Sequence, residues 1–238
     1  MLFNNRAEFI LYTYPANYTD KKEEKMTATF TKRDLAALIL NIFIFVSELI
    51  VIISKIPNAD GSEFSYYTFL SNLMGMAASV LFVLSFSRRF RNLTKAKTIL
   101  RFYATCMLSF TFLIVIFVLT PMAMSVEMDP SFLFTGFAAF TQHIANPVIS
   151  FISFVFFEDN RSLKKKQPLL IMLISMCYAF ILIALNIIRV VDGPYPFFQV
   201  YSFPLHSIIL WIIVLAIFNY LIDHLIYLAG RKKLKTFK

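Results

Sequence analysis

The chain has 238 residues, 58% of them hydrophobic and 17% aromatic against only 16% charged, with a mean hydropathy of +0.69. Soluble domains carry more charge and fewer apolar residues, so the composition excludes a water-soluble globular protein and places the chain in lipid. The net charge of +9 could mark a nucleic-acid binder, but where the charges lie assigns it to membrane topology, and no nucleic-acid partner is expected.

Residues 1–33 are polar and of mixed charge, and read as a cytoplasmic arm. The apolar patch from Phe9 to Tyr14 is too short for a signal-peptide core. Six apolar runs follow within 34–230: Leu35–Ser54, Tyr66–Phe86, Ile99–Thr120, Phe132–Phe157, Leu169–Val190 and Pro204–Leu228. Each suffices to cross roughly 30 Å of hydrocarbon at 1.5 Å per residue. A basic tail, 231–238, closes the chain. The expected fold class is all-α, a polytopic bundle of six transmembrane helices with no internal repeat and no second domain.

Basic residues set the orientation. The arm and the link after the second run carry six each, the link after the fourth run four, and the tail five. Those 21 of the 23 Lys and Arg lie on one side, leaving Lys55 and Arg189 on the other. The positive-inside rule then puts both termini in the cytoplasm, and a bacterial plasma membrane suits the plan. The sequons at Asn17 and Asn92 fall on the cytoplasmic side and carry no meaning there. Cys106 and Cys177 lie within apolar runs and read as free structural thiols.

Depth can be counted from the basic ends. Thr68 comes near the outer hydrocarbon boundary, with Ser71 and Asn72 one turn deeper. Ser71, Gly75 and Ser79 form a small-residue ridge that turns this face inward. In the fourth run His143 lies roughly 8 Å below the same boundary, flanked by Gln142 and followed by Asn146 and Pro147. Glu48 of the first run reaches nearly the same level. An ionisable group at such depth is costly unless paired, which makes this slab a candidate site. Glu48 could pair with His143, or equally face Asn186 or Tyr201. Ser71 and Asn72 read first as polar glue between helices, and His143 taken alone reads as readily as a neutral histidine bonded to a neighbouring helix.

A hydroxyl becomes a nucleophile when an imidazole takes its proton and a third group orients that imidazole. Thr68 or Ser71 with His143, and Glu48 as the third group, meets that need by residue type and depth; Asn72 or Ser71 would donate to the oxyanion, and Asn146 is a further supporting residue. Tyr195, Phe197, Phe198 and Tyr201 suit an outer aromatic belt or the roof of a lipid pocket. Asp223 and His224 are expected to meet water or headgroups near the inner end of the sixth run, and His206 to lie at the surface near its outer end. Soluble catalytic signatures are absent, so no cofactor is expected, and histidines at such different depths make no metal site.

Three stretches carry a further signal: YYTFLSNLMGM (66–76), QHIANPVISFISFVFFE (142–158) and GPYPFFQVYSFP (193–204). Together they resemble the androgen-induced membrane protein family and its bacterial relatives, over about residues 34–230. Animal members are threonine hydrolases of fatty-acid esters of hydroxy fatty acids. The resemblance implies a nucleophile at Thr68, a base at His143, membrane lipids as partners and a fatty-acyl ester as substrate. The spacing from His143 to Pro147 and the Ser71-Asn72 pair are similar to the bacterial branch, whose function is unassigned. A non-catalytic scaffold or lipid-binding protein and a small transporter are the competing readings.

Overall fold

The computed structural model describes residues 31–58, 60–87 and 93–231, and the sequons at Asn17 and Asn92, most of the arm and most of the tail lie outside them. Among the described residues six helices are long and apolar enough to cross a bilayer: α1 (Lys32–Lys55), α2 (Tyr67–Leu84), α3 (Thr94–Ser125), α4 (Phe137–Phe157), α5 (Gln167–Ile187) and α6 (Leu205–Arg231). Large apolar side chains such as Phe43, Ile50, Phe180 and Ile217 stand exposed on the outer faces. In water such a surface would drive association, whereas acyl tails match it.

Local sequence explains where each helix starts and bends. Thr31 caps α1 in a reciprocal box, its Oγ1 accepting from the Asp34 N–H while its own N–H donates to Asp34 Oδ2. The fourth span begins at Phe137, five residues later than the apolar run predicts. Pro130–Leu133 form a short 3₁₀ turn and Gly136, at φ +82°, turns the chain into the helix. α3 and α4 each widen into a π turn, at Val115–Leu119 and Thr141–Ala145. Pro121 and Pro147 follow directly, each lacking the N–H that the carbonyl four residues earlier would accept. The widened turn accommodates that loss. A third π turn, Ser153–Phe157, ends α4 without a proline.

Packing follows the small residues. Ser71, Gly75 and Ser79 are buried, and α2 lies between α1 and α3 along that ridge. At the end of the bundle that carries the basic links, Glu158 gathers three helices. Arg101 of α3 meets its carboxylate at 2.9 Å, Asn41 of α1 and Ser153 donate to Oε1, and Arg33 donates to its carbonyl at 2.8 Å. The carboxylate is the heavily bonded member of this buried pair, while the guanidinium relies on Glu158 alone, its Nε donating to both carboxylate oxygens.

Gly230 of α6 faces the fully buried Phe154 ring, and a Cβ there would lie 2.7 Å from the ring edge. At Gly75 the nearest atom is 3.0 Å away, the tip of the Leu108 side chain. Gly230→Ala is therefore expected to lower stability by about 1–3 kcal/mol, and Gly75→Ala by less, because a leucine tip swings aside where a packed ring cannot. Thermal unfolding of the purified variants in nanodiscs ranks the two.

Candidate functional site

The proline-driven π turn sets the site, because it carries Gln142 and His143 out of regular helical register. Gln142 points inward. Its Nε2 donates to Glu48 Oε1 at 2.8 Å, while its Oε1 accepts from Lys55 Nζ at 3.2 Å. Asn146, one turn on, donates to Glu48 Oε2 (3.3 Å) and to Asn72 Oδ1 (3.0 Å), and accepts from Ser47 Oγ (2.8 Å). Asn72 donates to the carbonyls of Thr68 (2.9 Å) and Gln142 (3.0 Å). Glu48, Asn72 and Asn146 are fully buried, and no atom of this network is left unpaired.

The pairing of Glu48 with His143 weighed from depth alone does not occur. Gln142 and Asn146 hold the carboxylate instead, because the widened turn rotates the amide, not the imidazole, toward α1. Asn186 and Tyr201 are no closer to that role. Asn186 closes the loop after α5 by bonding Val191 and Val200, and the Tyr201 hydroxyl donates to the Ile187 carbonyl.

His143 is half-buried, and its Nδ1 lies 2.6 Å from the Leu133 carbonyl. A carbonyl can only accept, so Nδ1 carries the proton and Nε2 keeps its lone pair. The sequence offered no signal for Leu133, since a backbone carbonyl orients the ring and any residue supplies one. The second π turn thus presents a histidine in the tautomer a general base requires.

Thr68 sits in the first turn of α2, half-buried, and lines a cavity of about 40 Å³ with Tyr67, Thr111, Tyr195, Phe197 and Phe198 among its walls. That volume suits about three waters at 10–15 Å³ each. Tyr195 forms part of the wall beside Thr68. Its hydroxyl accepts from the Tyr67 N–H at 3.0 Å and faces the Thr68 side chain, and burial pushes its phenol above the ordinary range, so it stays a neutral donor. Tyr201 is exposed, under the Arg189 guanidinium, and does not share this cavity. Ser71 is taken up by Thr111 at 2.9 Å. Thr68 and His143 are not hydrogen-bonded to one another. What connects them is Asn72, whose amide ties the backbone of one to the residue before the other.

Elsewhere, His206 is exposed as expected, but Asp223 is fully buried and meets neither water nor headgroups. Its apolar neighbours two and three turns from the helix end keep it inside. Among the described residues no cluster of His, Cys, Asp and Glu could hold a metal ion, and both cysteines are free thiols. No family model, curated protein or solved structure matches the chain.

Asn146→Leu removes the donor or acceptor of Ser47, Asn72 and Glu48 at once, and is expected to cost about 3 kcal/mol, since each buried polar group left alone costs about 1–3 kcal/mol. Lys55→Met, at the rim, should cost less than about 1 kcal/mol. Unfolding midpoints of the two variants measured side by side check the difference.

Proposed function

We propose that the protein is an intramembrane lipid hydrolase or acyl-transfer enzyme, with Thr68 as nucleophile and His143 as general base. The observation that carries this reading is the bond from His143 Nδ1 to the Leu133 carbonyl, which leaves Nε2 free to take a proton. In this reading the Thr68 hydroxyl attacks an ester carbonyl as its proton passes to Nε2, directly or through one water. The imidazolium then returns that proton to the leaving alkoxide, and water releases the acyl group by the same route. Tyr195, facing Thr68, is the candidate donor to the developing oxyanion.

A lipid ester suits the surroundings. An apolar groove of about 650 Å³ between α3, α4 and α6 begins at Pro147, one turn from His143, with Phe112, Phe151 and Ile226 along its walls. That is the size and character of a site for a long acyl chain. The resemblance to intramembrane threonine hydrolases supports the same roles, and the excess of basic residues on one side supports a cell membrane with cytoplasmic termini.

Labelling with a fluorophosphonate probe in native membranes tests the proposal. The wild type is expected to label, and Thr68→Ala and His143→Ala to lose the signal at unchanged protein level. Labelling that persists in Thr68→Ala, or a wild type that never labels, overturns the reading.

A further inference from the structure

Two turns from the cavity wall, α6 carries a second polar cluster of the opposite character. Leu215, Asn219 and Asp223 follow one another at four-residue intervals on the face turned into the bundle, and Leu215 lines the Thr68 cavity. Asp223 is 0% exposed and Asn219 1%. Neither oxygen of Asp223 has a hydrogen-bond partner, and neither has Asn219 Oδ1. Three buried acceptor oxygens on one face of α6 thus lack a donor of normal geometry, with the Cys106 thiol of α3 facing the carboxyl.

Among the described residues no cation pairs with it. Arg101 is committed to Glu158, and Arg231 to the Tyr227 hydroxyl. Cys106 of α3 and Tyr67 of α2, the latter bonded to Ser175, face it; of the further titratable groups on α3 to α6, Tyr103 is bonded to Gln167, Tyr178 to the Ser65 carbonyl and His143 to the Leu133 carbonyl, Lys97 lies over the Phe82 ring, and His224 stacks between Tyr220 and Tyr227. A bare carboxylate in this setting would cost far more than the fold can absorb.

We infer that Asp223, Asn219 and Cys106 form a binding site for one small monovalent cation, a proton or Na⁺. Either ion supplies the single positive charge and the electron-pair acceptor that the three oxygens lack. A proton on Asp223 turns one acceptor into a donor for Asn219 Oδ1 and leaves the other oxygen to the thiol. Na⁺ would be shared between the same oxygens. The site is independent of Thr68 and His143, and its occupancy would couple the half of the bundle nearer the basic links to the ion composition of its surroundings.

Unfolding midpoints of the full chain in nanodiscs test this, for wild type and Asp223→Asn, with Na⁺ exchanged for N-methylglucamine at fixed ionic strength and at several pH values. If Na⁺ is the ligand, it raises the wild-type midpoint at alkaline pH and leaves Asp223→Asn unmoved. If a proton is the ligand, Na⁺ has no effect. Wild-type stability then falls as pH rises, by at most about tenfold in the folding constant per pH unit, because the native state holds a proton the unfolded state releases. Asp223→Asn lacks that slope. Equal responses of wild type and variant to both ions overturn the inference. Should Asp223→Asn fail to accumulate, labelling of the wild type with N,N′-dicyclohexylcarbodiimide decides. Modification at Asp223 suppressed by Na⁺ or by raised pH supports the site, and absent or indifferent modification rejects it.

Discussion

An apolar bundle has to satisfy every polar group it encloses, because hydrocarbon offers no water to complete a missing bond. Gln142 is where that constraint is met most economically. Its amide presents an oxygen to the Lys55 ammonium and an NH₂ to the Glu48 carboxylate, joining charges of opposite sign through one neutral group. Asn146 and Asn72 extend the chain of amides to α1, α2 and the π turn of α4, so that three helices share one closed set of hydrogen bonds. Breaking any member strands several others, which is why such networks rigidify the segments they touch.

That rigidity is what the candidate chemistry draws on. The π turn exists because Pro147 cannot donate, and the network holds its inward side, so His143 is left on the other side with Leu133 fixing its tautomer. Thr68 lies on the same frame through Asn72, in the wall of a small cavity that Tyr195 also lines. Glu48, the one carboxylate at that depth, serves the frame and not the imidazole. The closed amide network and the half-buried Thr68 and His143 thus stand side by side, joined through Asn72.

The half of the bundle nearer the basic links obeys the constraint differently. Glu158 and Arg101 neutralise one another within a web of further donors, whereas Asp223 stands with its oxygens unpartnered against a thiol. The contrast, on neighbouring helices of the same fold, is between a carboxylate paired with a cation of the chain and one without such a pair among the described residues.

Much of this was legible from residues alone. Length and hydropathy place six spans to within a few residues, since a membrane imposes both a fixed thickness and an apolar exterior. Counting from basic ends put Glu48, Thr68, Ser71, Asn72 and His143 in one slab, and the small ridge Ser71, Gly75, Ser79 pointed α2 inward. The aromatic stretch yielded Tyr195, Phe197 and Phe198 at the cavity, while Tyr201 turned outward. What residue counting cannot supply is rotation about each helix axis. Depth along the membrane normal follows from 1.5 Å per residue, but the partner across the interface depends on azimuth, and one π turn shifts that for every residue before it. Hence the carboxylate met Gln142 in place of His143, and Asp223, near enough to a helix end to be read as wetted, lies sealed inside by the helices packed around α6.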